Sequence, residues 1–528
     1  MVVWQRWVCG LALLFVLPAC DDGGFAADAG GLRDGGFTRR DAGPEGTPPP
    51  PPEMELEIHF EPPAVGESVL YATNRAAGRV AVIHADDFSI ETVAVGPDPE
   101  PALAAPGRDL ALSIQRAHRT VSVLRTEDRV TRVSTLPIEH DVNRAAFDPT
   151  GRFAVLIEAP EPGVVRRNLH DVSVVDLGED TPRVVRAVVG YGPSAVAFDP
   201  AGTRAFVVTE DGVSTIALDA LSGAGSVRAP VLGFDTLEPV REALVSPDGA
   251  FAVARVEGDH LRQLDLSDGS VIDADLSVVS GDGGPIDLTD VDIAPSGDEI
   301  LAVVRSHSLV MRLPIGVGFG DTSAWTVLEL PGPQVGSLAF AGDGTRIVGY
   351  TTDPSVESIT VVDLVANAGR IVPLRKSVRG LAVSPDGAFA LALHHVVGGT
   401  DATGEDALVD ASHGYSVVDL STGFARLALV DAPPQADGAV LDSEGGRLLL
   451  ALRDDDRGVR ELQVVDLASF AVDRVPLVAP PTTVGVFGDL GRAFIGQEAD
   501  GGRVTFYLWG ERETHTVAGF ELAARVRR

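Results

Sequence analysis

The densest group of chemistry-bearing side chains lies between residues 394 and 413. His394-His395 comes first, Gly398-Gly399-Thr400-Asp401 follows, and Glu405, Asp406, Asp410 and His413 complete the stretch. Imidazole and carboxylate are the usual donors to divalent ions, so His394, His395, Asp401, Asp406 and His413 are the residues through which the chain could hold a metal or a polar ligand. Their spacing matches no established ligand pattern, and two adjacent histidines on a continuing strand point to opposite faces. A polar surface loop is the competing account, and the chain calls for no metal or cofactor. A second stretch, Ser280-Gly281-Asp282-Gly283-Gly284 with Asp287, Asp290 and Asp292, lacks the ordered ligand spacing of a calcium loop. No Gly-x-Ser-x-Gly elbow, His-Glu-x-x-His helix, phosphate-binding loop or dinucleotide fingerprint occurs.

The elements that carry these residues repeat. A turn rich in Asp, Pro and Gly recurs at glycines 66, 107, 151, 202, 249, 297, 344, 387, 445 and 491, with β-rich sequence on each side. Each unit reads in one order. An apolar stretch runs into the turn, as in Ala145-Ala146-Phe147-Asp148-Pro149-Thr150-Gly151, and a second strand follows at once, as in Phe153-Ala154-Val155-Leu156. A third strand closes on Asp-Leu in Ser173-Val174-Val175-Asp176-Leu177, Thr360-Val361-Val362-Asp363-Leu364, Ser416-Val417-Val418-Asp419-Leu420 and Gln463-Val464-Val465-Asp466-Leu467, and a more polar fourth strand ends the unit. The glycines are expected at positive φ. The repeated aspartates, found at the same strand end each time, are expected to bond backbone amides of the next corner. Four short strands in a repeat of about 47 residues are the signature of a β-propeller blade. The predicted fold is all-β: about ten four-stranded repeats over 53–528, forming either one large ring or two smaller propellers of five units. The widest spacing, from Gly387 to Gly445, places the His/Asp group in an insertion between the second and third strands of its unit.

Leu70-Tyr71-Ala72-Thr73-Asn74, Val80-Ala81-Val82-Ile83, and Val93-Ala94-Val95-Gly96 with Pro99 resemble the YVTN-type β-propeller repeat. The match is specific at 70–99, and later units keep the turn and the Val-Val-Asp-Leu strand in looser form. Tryptophan occurs only at 4, 7, 325 and 509, and no Trp-Asp dipeptide is present, unlike tryptophan-aspartate repeats or quinoprotein blades. Two functions of different class stand open, the second of them implied by the resemblance. One is a binding or interaction scaffold. The other is a lactonase-like hydrolase with His, Glu and Arg gathered near the axis. No histidine lies within the six residues before any turn from 107 to 491, which favours binding.

The N-terminus reads separately. Arg6, an apolar run from Trp7 to Val16 and then Leu17-Pro18-Ala19-Cys20 have the layout of an export signal, too short for a comfortable membrane span. The ending resembles a bacterial lipobox, which implies removal of residues 1–19 and lipidation of Cys20. Cys9 would leave with the signal, so no disulfide is expected. Residues 20–52, rich in Gly, Asp and Ala and ending in Pro48 to Pro52, are too poor in apolar surface to fold and are expected to form a disordered tether. Met54, Leu56, Ile58 and Phe60 then alternate with polar residues, predicting a strand that either clasps the last blade or edges the first. The formal net charge is −34 with a single lysine, Lys376, so nucleic acid and direct adsorption to anionic lipid are excluded as partners. The expected setting is the bacterial cell envelope, on its periplasmic face or outer surface. The expected partner there is a protein, peptide or glycan, with membrane contact through the lipid anchor alone.

Overall fold

A computed structural model describes residues 59–526 apart from 179–180, 222, 237–239, 241, 257–258, 281–285, 343, 398–402 and 443–444. Cys20, the tether and Asp401 therefore lie outside the described residues, as do positions 53–58 of the N-terminal alternating segment.

Ten β-sheets follow one another along the chain, each built on an antiparallel meander of four strands that are consecutive in sequence except in the fourth, where Ser226–Arg228 intervenes. They form blades 1 to 10, spanning 64–94, 103–137, 144–188, 195–232, 243–275, 288–329, 337–373, 378–430, 434–476 and 481–518. Blade 3 gains a fifth strand, because Ser226–Arg228 from blade 4 pairs in parallel with its outer strand Arg183–Val188. Second and third strands are buried along almost their whole length, as in Phe153–Ile157 and Asp171–Asp176, whereas fourth strands alternate, as in Arg183–Val188. Strands buried on both faces read as unbroken Val, Ala and Leu, and that is the pattern of the inner sequence.

Ten apolar clusters join each blade to the next. Tyr71 and Leu124 sit in the cluster between blades 1 and 2, Phe206 and Leu264 between 4 and 5, and Leu261 and Met311 between 5 and 6. The remaining pairs are joined in the same way. The tenth cluster packs Leu70 and Ile83 of blade 1 against Phe494 and Phe506 of blade 10. Two separate five-bladed rings would set blade 5 against blade 1. Instead blade 5 packs on blade 6 and blade 10 on blade 1, so the ten blades close a single ring.

The hairpin joining first and second strands explains the repeated turn. Asp148 is fully buried; its Oδ1 accepts from the Phe153 amide at 2.6 Å and its Oδ2 from the Thr150 amide at 3.0 Å. Asp199 does the same for Thr203 and Arg204, and Ser246 and Ser384 replace it with Oγ atoms 2.9 Å from the amides of Phe251 and Phe389. Eight of the ten expected turn glycines, at 107, 151, 202, 249, 297, 344, 387 and 491, have positive φ. Two do not. In blade 9 the left-handed residue is Gly446, not Gly445, because the Asp442 carboxylate captures the amide of Gly445 and shifts the turn by one residue. Gly66 needs no left-handed backbone, since its amide bonds directly to the carbonyl of Val69.

The Asp-Leu ending of the third strand has two uses. Asp363, Asp419 and Asp466 accept from amides two or three residues ahead, at 2.7 to 2.9 Å, and Asp176 from Gly178 at 3.1 Å. The leucine that follows is buried, and its carbonyl takes an arginine from the preceding blade: Arg125 to Leu177 at 2.6 Å, Arg312 to Leu364 at 2.7 Å and Arg370 to Leu420 at 2.6 Å. At the seam Arg492 donates to the carbonyl of Ala85 in the same manner. The seam is further sealed by the helix Phe520–Val526, whose Phe520 meets Phe60 edge-on at 5.0 Å and whose Glu521 pairs with Arg79 at 3.1 Å. His59 and Phe60 are not in a strand, and all four strands of blade 10 come from 481–518. Among the described residues, then, no N-terminal strand clasps the last blade.

Candidate functional site

Each blade is an antiparallel meander read from the axis outward. Its first hairpin and its third-to-fourth-strand corner therefore fall on one face of the ring, the turn face. The second-to-third-strand connection and the crossover to the next blade fall on the other, the crossover face. On the turn face, Asp and Ser side chains satisfy the local amides as described above. The crossover face carries the long connections 158–170 in blade 3 and 395–412 in blade 8.

In blade 8 the sequence-predicted residues divide. His394 ends the second strand and is buried; its Nδ1–H donates to the carbonyl of Ser377 at 3.1 Å, and its Nε2 accepts from Ser416 Oγ at 2.7 Å. With both ring nitrogens engaged and water excluded, burial holds the imidazolium pKa down at about 4. Lys376, only 1% exposed, directs its ammonium at the carbonyls of Val409 (2.7 Å) and Asp410 (3.0 Å). Those carbonyls end the helix Glu405–Ala411, where a cation is favoured, so the one lysine pins the insertion to the ring. Burial also lowers its pKa. His395 Nε2 and Ser377 Oγ lie beside this pin, buried and without a hydrogen-bond partner among the described residues. His413 begins the third strand, and Asp406 sits exposed in the first turn of the helix. Among the described residues no group of three or more His, Cys, Asp or Glu is placed to hold a metal ion.

The sequence reading missed a second place. A cleft of about 360 Å³ opens on the crossover face between blades 2 and 3. Its floor is polar: Asn168 bonds the carbonyls of Asp141 and Asp171, and the carboxylate of Glu158, 2% exposed, accepts from the amides of Arg167 and Asn168 at 3.0 and 2.6 Å. Those two amides fix the connection 158–170 from below, and Arg166 anchors it sideways to Glu210 of blade 4. His140 forms part of the wall. It is 8% exposed, its Nε2 is 3.1 Å from Ser173 Oγ, and its Nδ1 has no hydrogen-bond partner among the described residues. Desolvation lowers its pKa, partly opposed by the negative charge of Asp171, so the ring is neutral near pH 7. The sequence did hold one signal, a spacing of 51 residues between Gly151 and Gly202, second only to the insertion in blade 8, with Arg166-Arg167-Asn168 inside it.

Ser173 belongs to a wider pattern. Ser122 Oγ donates to the Val95 carbonyl, Ser214 Oγ accepts from the Gly190 amide and Thr360 Oγ1 donates to the Pro331 carbonyl. Each ties a third strand to the incoming crossover. The Ser173–His140 contact in blade 3 is of this structural kind, and in blade 8 His394, at the end of the second strand, relays the tie from Ser416 to the Ser377 carbonyl of the crossover. The innermost strands contain no histidine; the inner-strand Asp290 accepts from the Leu338 amide of the next blade at 2.7 Å. Burial holds the Asp290 carboxyl above the usual carboxylate range, with Glu242 adding to the rise.

No family model matches the chain, and no curated protein matches it. Solved structures do. A eukaryotic initiation factor is 12% identical, with 76% of this chain and 94% of that one covered at a TM-score of 0.50. The dihydro-heme d1 dehydrogenase NirN in complex with DHE is 16% identical over 70% of this chain and 73% of that one, at 0.42. The hydrazine synthase of Kuenenia stuttgartiensis is 14% identical over 62% and 95%, at 0.33. At such identity the likeness concerns the β-propeller fold alone.

Proposed function

We propose that this chain is a lipid-anchored β-propeller of the cell envelope, of YVTN-repeat type, that acts as a non-catalytic binding scaffold through its crossover face. The observation that carries the reading is the gathering on that face of the two longest second-to-third-strand connections and the polar cleft, while the turn face satisfies its amides internally. Loops held on a rigid scaffold are where recognition resides. The lactonase-like alternative gains nothing from the innermost strands, which lack histidine.

Two measurements test this. Mass spectrometry of the mature N-terminus is expected to find a diacylated Cys20, and Cys20→Ala to leave the protein unprocessed or free of the membrane; a mature chain beginning elsewhere refutes the anchor. Cross-linking of the full chain in envelope preparations is expected to capture a protein, peptide or glycan partner. Replacing 396–411 by a Gly-Asp turn should weaken capture while leaving the unfolding midpoint in place. Capture unaffected by changes to either long connection refutes recognition through the crossover face.

A further inference from the structure

The cleft between blades 2 and 3 has an uneven charge arrangement. Its inner carboxylates are neutralised, Asp141 by Arg119 at 2.8 Å and Asp171 by Arg186 at 2.8 Å. Two rim groups are not. Arg167 is exposed, and its guanidinium makes no ion pair or hydrogen bond among the described residues. Glu139 has its side chain 74% exposed and only a share of Arg186, whose guanidinium lies 3.7 Å from it while binding Asp171 at 2.8 Å. Both line the same cleft. In a chain of net charge −34, an unpaired guanidinium and a carboxylate with only a shared cation, lining one cleft over a neutralised floor, stand out.

We infer that this cleft binds a small zwitterion of free amino-acid size, its carboxylate received by Arg167 and its ammonium by Glu139. A simple anion would meet Glu139 at the rim and a simple cation would meet Arg167; only a ligand with both charges complements both. The donors suit it as well. A guanidinium presents its N–H groups in a fixed fork that matches carboxylate geometry, while Glu139 and the unused lone pairs of Asp141 offer acceptors to an ammonium with three hydrogens. His140 lines the same cavity, nine-tenths buried, with its Nδ1 lacking a hydrogen-bond partner among the described residues. The connection 158–170 is held at both Glu158 and Glu210, so Arg167 projects from a fixed backbone and binding does not have to order the loop.

This inference rests on the crossover face being the recognition face, and the experiment separates the two. Titration calorimetry of the full chain in detergent, with glycine, L-alanine, L-serine and L-glutamine, is compared with propionate and ethylamine as single-charge controls. At least one amino acid is expected to bind, with both controls weaker by about tenfold or more. Arg167→Gln and Glu139→Gln, both at exposed side chains, are each expected to weaken it by about tenfold while leaving the unfolding midpoint unchanged. Absence of amino-acid binding at millimolar concentration, controls that bind equally well, or variants that bind as the wild type does would overturn the inference. If any of these occurs while the chain still captures its macromolecular partner, the zwitterion site alone is refuted.

Discussion

Asp148 holds a hairpin with a carboxylate that never meets water. Replacing it by alanine strands the buried amide of Phe153, so Asp148→Ala is expected to cost about 2 kcal/mol in urea unfolding, against about 1 kcal/mol for Ser384→Ala, which removes a weaker neutral acceptor. His394 makes the residue scale sensitive to pH. Its pKa falls from the ordinary value near 6.5 to about 4 on folding, so the unfolded chain takes up its proton first. The contribution of His394 to stability is therefore complete above about pH 6.5 and is lost as pH falls toward 4, by about 3 kcal/mol in all. His394→Asn, which can keep a donor to the Ser377 carbonyl, is expected to flatten that part of the stability profile. An equal slope in both proteins between pH 6.5 and 4 would refute this. The structural use of the repeated aspartates was legible because they recur at one strand end. The serine and threonine ties to the crossovers were not, because Ser122, Ser173, Ser214 and Thr360 find partners far away in sequence.

At the scale of elements, the turn glycines differ in what surrounds them. Gly387 has φ +68°, and a Cβ there would stand 2.6 Å from that of Ala341 in the preceding blade. Gly107 has φ +60° with open space around it. Gly107→Ala should therefore cost about 1 kcal/mol of backbone strain alone, and Gly387→Ala distinctly more, because a neighbouring blade must also shift. Equal changes in thermal midpoint would mean that blade contact plays no part. In the blade 8 insertion, Lys376→Met removes the donor to the carbonyls of Val409 and Asp410 while keeping the apolar stem. The expected result is faster proteolysis within 396–412, with the global unfolding midpoint little changed. Strand order and the insertion were readable from period and spacing. The short helix Glu405–Ala411 was not, since only seven residues sustain it and its hold comes from a lysine some thirty positions earlier.

At the scale of the molecule, the ring is a repeated interface. Turn spacing gave the number of blades. Closure was not readable, because a chain of repeats carries no mark of which blade meets which, and the choice of one ring over two lies in aromatic packing around Phe494 and Phe506. Phe520 is the test of that seam. It is 1% exposed and covers Phe60, so Phe520→Ala is expected to destabilise by about 3–5 kcal/mol, with faster exchange of amides in blades 1 and 10 than in blade 5. Uniform exchange around the ring would show that the seam is no weaker than the other interfaces.

Every described blade draws its four principal strands from one continuous stretch, and the seam between blades 10 and 1 is closed by side chains rather than by an exchanged strand. Chain order around the ring is then free of any topological lock. A circular permutant that begins at another crossover, such as that between blades 5 and 6, with Phe60 and the end of the helix Phe520–Val526 bridged by a linker, should fold to the same ring, because Phe60 already touches Phe520 at the start of that helix. The same freedom bears on ancestry. Where no shared strand fixes the first blade to the last, gain or loss of a whole blade needs only that neighbouring faces match, so a wheel of ten can arise from a smaller one by tandem duplication without any redesign of its closure.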